Sequence, residues 1–502
     1  MFSDSFYQIA PVVALLASLA AVPLIALSGR HPNLREFWTF AAAALNFAMV
    51  LSLAGWVLAG NVVEVDLVRV LPELAISFRV DPFGMLFALV SSFLWIVAAT
   101  YTIGYMRGLN EHAQTRFFAC FALSICAAIG VAFAGNLLTM YLFYEMLSLS
   151  TYPLVAHHQD KEGRGGARKY LAFLLGGSVG LVLPAMVVIF SLAGTLEFAD
   201  NISSGIIPVG TGSTMVALLF FACLFGFAKN GVMPMHAWLP GAMVAPTPVS
   251  ALLHAVAVVK VGVFGTTRVI LYVFGIDLLD DLNLGIAAAY IVSFTIVTAS
   301  IIALTKDNLK ARLAYSTISQ LSYIILGVVL LAPAAIEGGL IHIVNHAFAK
   351  ITLFFCAGAI YVATHKKNIS EMGGLGRVMP FTFGAFAIAS LSMIGAPPVG
   401  GFVTKWYLLV GALDAGQLAI IAVLLSSTLL NVAYFAPITY HAFFGKPPLG
   451  VVYGGGIKEA PLIMVAPILL AATISILLGL YPGMMMQFVK MVTGTIIIYH
   501  GQ

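Results

Sequence analysis

The stretch GFAKNGVMPMHAWLPGAMVAPTPVSALLHAVAVVKVGVF, residues 226–264, is apolar enough for a membrane helix, yet it contains Pro234, Pro240, Pro246 and Pro248. No regular helix accommodates all four, because each proline removes a backbone donor and clashes with the preceding turn. The helix must break. Irregular backbone at membrane depth persists only where it is buried in protein or lines a hydrated cavity. Lys229, a turn before the break, is therefore placed to meet water, and His236 lies at the break itself.

The chain has 502 residues, 61% hydrophobic and 9% charged, with a mean hydropathy of +1.03. That composition excludes a soluble domain. Apolar runs of about 20 residues, the length that crosses a hydrocarbon core about 30 Å thick, recur along the chain. They predict an all-α integral membrane protein of about 14 spans. The four cysteines, Cys120, Cys126, Cys223 and Cys356, fall inside predicted spans without the pairing of a metal or cluster site. No Walker loop, dinucleotide fingerprint or Cys-rich cluster is present. No cofactor and no redox or hydrolytic site is therefore expected in this chain.

Placing the N-terminus outside puts 16 of the 24 Lys and Arg residues in inner loops, from Arg30 to Lys458, as the positive-inside rule requires. The expected location is the inner (cell) membrane of a prokaryote, multi-pass, with both termini on the outer face. The net charge of +4 is then topological and calls for no nucleic-acid partner. Residues 61–80 alternate apolar and polar positions, the pattern of an exposed outer hairpin. The tail, residues 483–502, is short for a further span.

Four lysines remain inside spans: Lys229, Lys260, Lys350 and Lys405. Glu145, in YLFYEMLSLS (residues 141–150), is the acid near mid-span. Such charges are unfavourable by roughly 3 kcal/mol on insertion scales and are usually functional. A second interrupted segment, IGAPPVGGFVTKWYLLVGAL (residues 394–413), breaks at Pro397 and Pro398 just before Lys405. Two interrupted helices, spans 7 and 12, each with one lysine, lie five spans apart. That spacing predicts two inverted five-helix repeats, spans 4–8 and 9–13, and corresponding breaks point to a transport site. The expected organisation is an N-terminal three-helix segment with the hairpin (1–110), the repeat core (111–445) and a C-terminal helix and tail (446–502).

In IHIVNHAFAK, residues 341–350, His342, His346 and Lys350 recur at i, i+4 and i+8 and share one helix face over about 12 Å. Such a ladder can pass protons through intervening water. His254 and Lys260 are six residues apart and do not share a face, so a link between them needs water or other residues. If Glu145 and Lys229 are neighbours, their separation is a control. Opposite charges attract by roughly 4 kcal/mol at about 4 Å and roughly 2 kcal/mol at about 8 Å, for an effective dielectric constant near 20. Opening the pair would change the amine's proton affinity about thirtyfold.

The pieces YEMLSLSTYPLV, KNGVMPMHAWLPGAMVAPTPVSALLHAVAVVK, KDNLKARLAYSTISQLSYI, HIVNHAFAK and GAPPVGGFVTKW together resemble the antiporter-like, proton-conducting membrane subunits. That family is shared by respiratory complex I, Mrp-type cation/proton antiporters and energy-converting membrane-bound hydrogenases. The resemblance implies that Glu145 is the fifth-span carboxylate paired with Lys229, and that His254 and Lys260 lie on the eighth-span path. It further implies that His342, His346 and Lys350 continue a central polar axis and that Lys405 is its terminal group, which is glutamate in some relatives. The expected function is proton translocation within a multisubunit membrane complex coupled to a redox partner. The alternative is a subunit of an Mrp-type Na+/H+ antiporter without redox chemistry. The expected partners are other membrane subunits, lipid and protons, with sodium left open.

Overall fold

The computed structural model describes residues 4–72, 74–447 and 456–500, with side chains through residue 494. It is mostly helical. Two N-terminal helices, α1 (Asp4–Leu27) and α2 (Pro32–Leu58), precede the hairpin of β1 (Val63–Leu71) and β2 (Leu74–Val80). The strands pair antiparallel from Val63 opposite Val80, and two register shifts accommodate irregularities near Asp66 and Arg69. β1 is largely exposed while β2 is mostly buried, because β2 bonds the next layer through Arg79 N to Phe133 O at 2.7 Å.

The core then runs through α3 (Pro82–Gly108), α4 (Gln114–Ala132), α5 (Leu137–Val155), α6 (Lys161–Gly177), α7 (Leu183–Ala193) and α8 (Ser213–Gly226). Short pieces follow: α9 (Trp238–Gly241), α10 (Thr247–Ala251), α11 (Val258–Val269) and α12 (Ile276–Asp281). The chain continues as α13 (Leu284–Leu304), α14 (Leu309–Val329), α15 (Pro333–Thr364), α16 (Pro380–Ile394), α17 (Gly400–Asp414), α18 (Leu418–Phe444), α19 (Leu462–Leu480) and α20 (Gly483–His500).

Local chemistry sets the starts. Asp81, Asn136, Asp160 and Asn308 each accept a backbone N–H from the residue three positions on, at 2.6 to 3.1 Å. These are N-caps, which satisfy donors that a helix start otherwise leaves open. Proline stands in the first turn of α2, α3, α15 and α16, where no N–H is needed.

Among the described residues, ten helical segments are long and apolar enough to cross a membrane, and α8 and α16 are shorter apolar helices. α5 and α14 fall outside that group because Glu145 and a run of Ser, Thr and Gln residues lower their hydropathy. α15, α14, α11 and α3 form the centre: every residue of the most apolar window in Thr247–Phe274 is buried, against 33% for α2 and for α18. The outer faces of α18 and α1 present large apolar side chains such as Leu429, Tyr440 and Leu16. A lipid or protein surface suits such faces, and water does not.

One end of the bundle gathers basic side chains. There Arg107 pairs with Glu36 at 2.6 Å, Lys310 Nζ donates to Ala245 O at 2.5 Å and Arg377 Nε donates to Phe443 O at 2.8 Å. The hairpin marks the other end, where Arg79 pairs with Asp200 at 2.8 Å. Deep beneath it, Arg268 on α11 and Asp81 form a two-pronged ion pair, both groups almost fully buried. Four aromatic rings, those of Phe83, Phe198, Phe264 and Tyr272, surround the guanidinium within 5.3 Å.

Candidate functional site

The proline-rich stretch breaks as its sequence requires, but sooner than expected. α8 ends at Gly226, and Lys229 sits inside a single 3-10 turn, Ala228–Asn230, rather than in the helix before the break. Asn230 clamps the turn: its Nδ2 donates to Leu224 O at 2.7 Å and to Thr266 Oγ1 at 3.1 Å, and its Oδ1 accepts Val232 N at 2.9 Å. Trp238 Nε1 closes it by donating to Ala228 O at 2.9 Å. α11 lies directly against the turn at Gly262, where a Cβ would come within 2.2 Å of the Lys229 carbonyl carbon. Only glycine permits that approach.

Lys229 is fully buried. Its Nζ donates to Tyr144 O at 2.9 Å and Ser148 Oγ at 2.7 Å, both on α5, and stands 3.0 Å from the centre of the Tyr144 ring. Glu145, the next residue along α5, is close enough to act on this amine electrostatically. Its two carboxylate oxygens meet no hydrogen-bond partner among the described residues, and no Glu145–Lys229 ion pair forms within 4.0 Å among them. The amine thus faces a carbonyl and a hydroxyl rather than the carboxylate.

In the eighth predicted span, π-helical turns at Leu252–Val256 and Ile270–Phe274 flank α11. His254 lies in the first, its ring 4.6 Å from that of Phe354 and both nitrogens without a partner among the described residues. Lys260 reaches instead across to α15, where its Nζ lies 2.8 Å from His346 Nδ1. The ring of His346 is 5.6 Å from that of His342, whose Nε2 meets Gln320 Oε1 of α14 at 3.0 Å. One turn further, Lys350 Nζ donates to Ser316 Oγ at 2.7 Å and Leu313 O at 3.2 Å, also on α14. Of the i, i+4, i+8 stripe, His342 and Lys350 therefore meet the polar stripe of α14, and His346 meets Lys260 of α11.

The second break separates α16 from α17 around Pro397 and Pro398, with Gly395 in the left-handed region at φ +85°. Gly401 lets α17 fold against α16, since a Cβ there would lie 1.7 Å from Ser392 O. Lys405 on α17 donates to Ile394 O, the last carbonyl of α16, at 2.6 Å and to Thr428 Oγ1 at 2.9 Å. A helix C-terminus carries partial negative charge, so this is a favourable place for an ammonium.

Three buried amines, Lys229, Lys350 and Lys405, thus share one arrangement: a backbone carbonyl plus a side-chain hydroxyl. Hydrogen bonds to a charged group contribute about 1.5–3 kcal/mol each, and burying an ion costs several kcal/mol after relaxation. These bonds therefore offset part of the cost of burying each amine. Sequence reasoning named the titratable groups but missed Tyr144, Ser148, Gln320, Ser316 and Thr428. The run STISQLS in α14, residues 316–322, polar at every second position or closer within an apolar helix, was the available signal.

The fold and this polar chain define the class of an antiporter-like membrane protein. Residues 134–431 match the family described as "NADH:quinone oxidoreductase/Mrp antiporter, TM", and the chain belongs to that family. It is 31% identical to NADH-quinone oxidoreductase subunit N of Desulforudis audaxviator (strain MP104C), covering 94% of each chain. It is 30% identical to a component of a probable K(+)/H(+) antiporter of Rhizobium meliloti (strain 1021), over 88% of this chain but only 44% of that protein. Its fold is similar to a chain of the Mrp complex from Dietzia sp. DQ12-45-1b, with TM-score 0.86, 23% identity and 99% and 98% of the two chains covered. It is equally similar to a chain of the membrane-bound sulfane sulfur reductase, an archaeal respiratory membrane complex, at TM-score 0.87 and 23% identity over 98% of both. These relatives and structural neighbours are subunits of multisubunit membrane complexes.

Proposed function

We propose that this chain is a proton-translocating subunit of a multisubunit membrane complex, moving protons along the axis Lys229, Lys260/His346, His342, Lys350 and Lys405 when a partner protein displaces Glu145. The observation that carries this reading is the Lys229 site, where the amine is held by neutral acceptors while the neighbouring carboxylate has no donor of its own among the described residues. The present arrangement is then the open state of the Glu145–Lys229 control, and closure would raise the amine's hold on its proton about thirtyfold. His254 extends the path toward the basic end.

On the same reading the chain crosses the inner membrane of a prokaryote fourteen times with both termini outside, the basic end facing the cytoplasm. Residues 111–445 then form two inverted five-helix repeats, broken at α8–α9 and α16–α17, with residues 1–110 and 446–502 as flanking segments. Full-length similarity to a component of a quinone oxidoreductase supports a redox-coupled complex; similarity to a component of a probable K(+)/H(+) antiporter supports the second reading, a gradient-driven antiporter. Protons are the favoured ion, because sodium usually needs converging oxygen ligands.

The test is proton flux in liposomes holding the purified complex. Lys229→Ala and Glu145→Gln should each reduce flux at least tenfold while the complex stays assembled. Unchanged flux in both would overturn the reading. Identification of the co-purifying subunits separates the redox-coupled assembly from a gradient-driven antiporter.

A further inference from the structure

We propose that the loop after α3 and the end of α5 together form a binding site for a divalent transition metal of the zinc type, with Glu111, His112 and His157 as ligands and His158 as the fourth. Glu111 Oε2 lies 3.6 Å from His157 Nε2, 3.8 Å from His158 Nδ1 and 4.0 Å from His112 Nδ1. The ligand atoms of Glu111, His112 and His157 all fall within 4.8 Å of one another. Three imidazoles converge on one carboxylate oxygen, yet each separation exceeds hydrogen-bond length. Tetrahedral zinc, with bonds of about 2.0–2.2 Å, spaces its ligand atoms about 3.3–3.6 Å apart. The three imidazoles stand 3.6 to 4.0 Å from the shared Glu111 oxygen, so the approach of each to that oxygen must shorten by less than about 1 Å.

His157 supplies a second, independent observation. Its side chain is fully buried and neither ring nitrogen has a hydrogen-bond partner among the described residues. Its Nε2 has only the long 3.6 Å approach to Glu111 and its Nδ1 has nothing among the described residues, and a buried imidazole short of hydrogen bonds is unfavourable, so this ring is disposed to take a ligand. Packing holds it in place: Phe117 meets it edge-on at 5.6 Å, and Arg116 Nη2 donates to the His157 carbonyl at 2.9 Å. His112 and His158 keep side-chain exposures of 52% and 37%, so an ion can enter from water. Neutral imidazoles with one carboxylate suit zinc and its neighbours and disfavour magnesium or calcium, which take oxygen ligands.

Location gives the site a consequence. Glu111 and His158 also line a cavity of about 610 Å³ at the basic end, whose other walls include Lys310 and Thr247, at the start of the segment that carries His254. A divalent ion held there would fix the α3–α4 loop to the end of α5 and, with the Glu111 carboxylate among its ligands, leave one net positive charge beside the cavity. Metal occupancy would thus oppose proton entry from this end.

The complex, purified with a tag that contains no histidine, is titrated with Zn2+ and with Co2+ as a spectroscopic substitute. The comparison is with the double variant His112→Ala/His158→Ala, which alters only the two exposed rings, and with Glu111→Gln. The expected result is one equivalent of tightly bound metal per chain, a tetrahedral Co2+ spectrum, and at least a tenfold loss of affinity in both variants. Equal zinc binding by wild type and both variants, or an octahedral cobalt spectrum unchanged by them, would overturn the proposal. Melting temperatures without metal verify that the variants are folded. Should the double variant unfold, single His112→Gln is scored by the same criteria.

Discussion

Lys260 Nζ and His346 Nδ1 lie 2.8 Å apart although they come from different helices and are 86 positions apart in the chain. The two groups cannot both be charged at that distance without strong repulsion. The contact is therefore a hydrogen bond in which at most one of the two groups carries a charge, with the donor set by the imidazole tautomer. Lys260→Ala and His346→Ala should each reduce proton flux about tenfold or more, and the double variant should be little worse than either single, the signature of residues acting as a unit. Additive losses, measured in liposomes containing the assembled complex, would contradict this.

Gly262 sets the position of Lys229. A Cβ at 2.2 Å from the Lys229 carbonyl carbon forces the backbone of the turn to move, and overpacking of this kind costs typically about 1–3 kcal/mol. Gly262→Ala should lower the thermal midpoint in detergent and reduce flux together. Gly176→Ala, where nothing lies within 4 Å of the added atom, should leave both unchanged.

The Asp81–Arg268 pair predicts an asymmetry between breaking and replacing. Removing one partner leaves a buried charge alone and destabilises by about 3–5 kcal/mol. Asp81 also caps α3 through Gly84 N at 2.7 Å, so Asp81→Ala should be worse than Arg268→Met by about 1 kcal/mol. The double variant Asp81→Asn/Arg268→Met, which keeps a cap and removes both charges, should recover part of the loss. Denaturant titration in mixed micelles reads all three.

At the hairpin end, Glu197 accepts a hydrogen bond from Asn136 Nδ2 at 2.9 Å. Partial desolvation of its carboxyl raises its pKa, the Asn136 bond opposes the rise, and the nearby carboxylates Asp66 and Glu64 add to it. A carboxyl with a raised folded-state pKa favours the fold at pH values below the unfolded pKa, near 4.5, and that contribution fades as pH climbs through the folded value. Glu197→Gln keeps the acceptor for Asn136 and cannot ionise. It should therefore melt higher than wild type at neutral pH, with the difference vanishing toward about pH 4. An unchanged difference across that range would refute the assignment.

How far the molecule could be read from its chain differs from residue to residue. The break beside Lys229 was legible because proline chemistry is local, and so was the common face of His342, His346 and Lys350 because it depends only on helical pitch. The π-turn at Leu252–Val256 was not: LLHAV contains neither glycine nor proline, and its backbone follows from packing against other segments. The acceptors of the buried amines were hidden for the same reason. Tyr144 O and Leu313 O are main-chain atoms that any residue would supply, and only the assembled bundle shows which lysine each one meets. The imidazoles around Glu111 come from two distant loops, so no spacing motif announced them. The repeat symmetry and the membrane orientation were read from the spacing of breaks and from loop charge, and they stay with the proposal.

α5 and α14 carry too many polar groups to rank with the apolar helices, yet they line the middle of the bundle. A nascent segment of that kind has little reason to remain in lipid by itself. Ser316 meets Lys350 only after α15 has arrived, and Ser148 meets Lys229 only after α8 has been made. The placement of α5 and α14 therefore depends on segments made later, and a chain truncated before α15 should expose α14 to quality-control proteolysis.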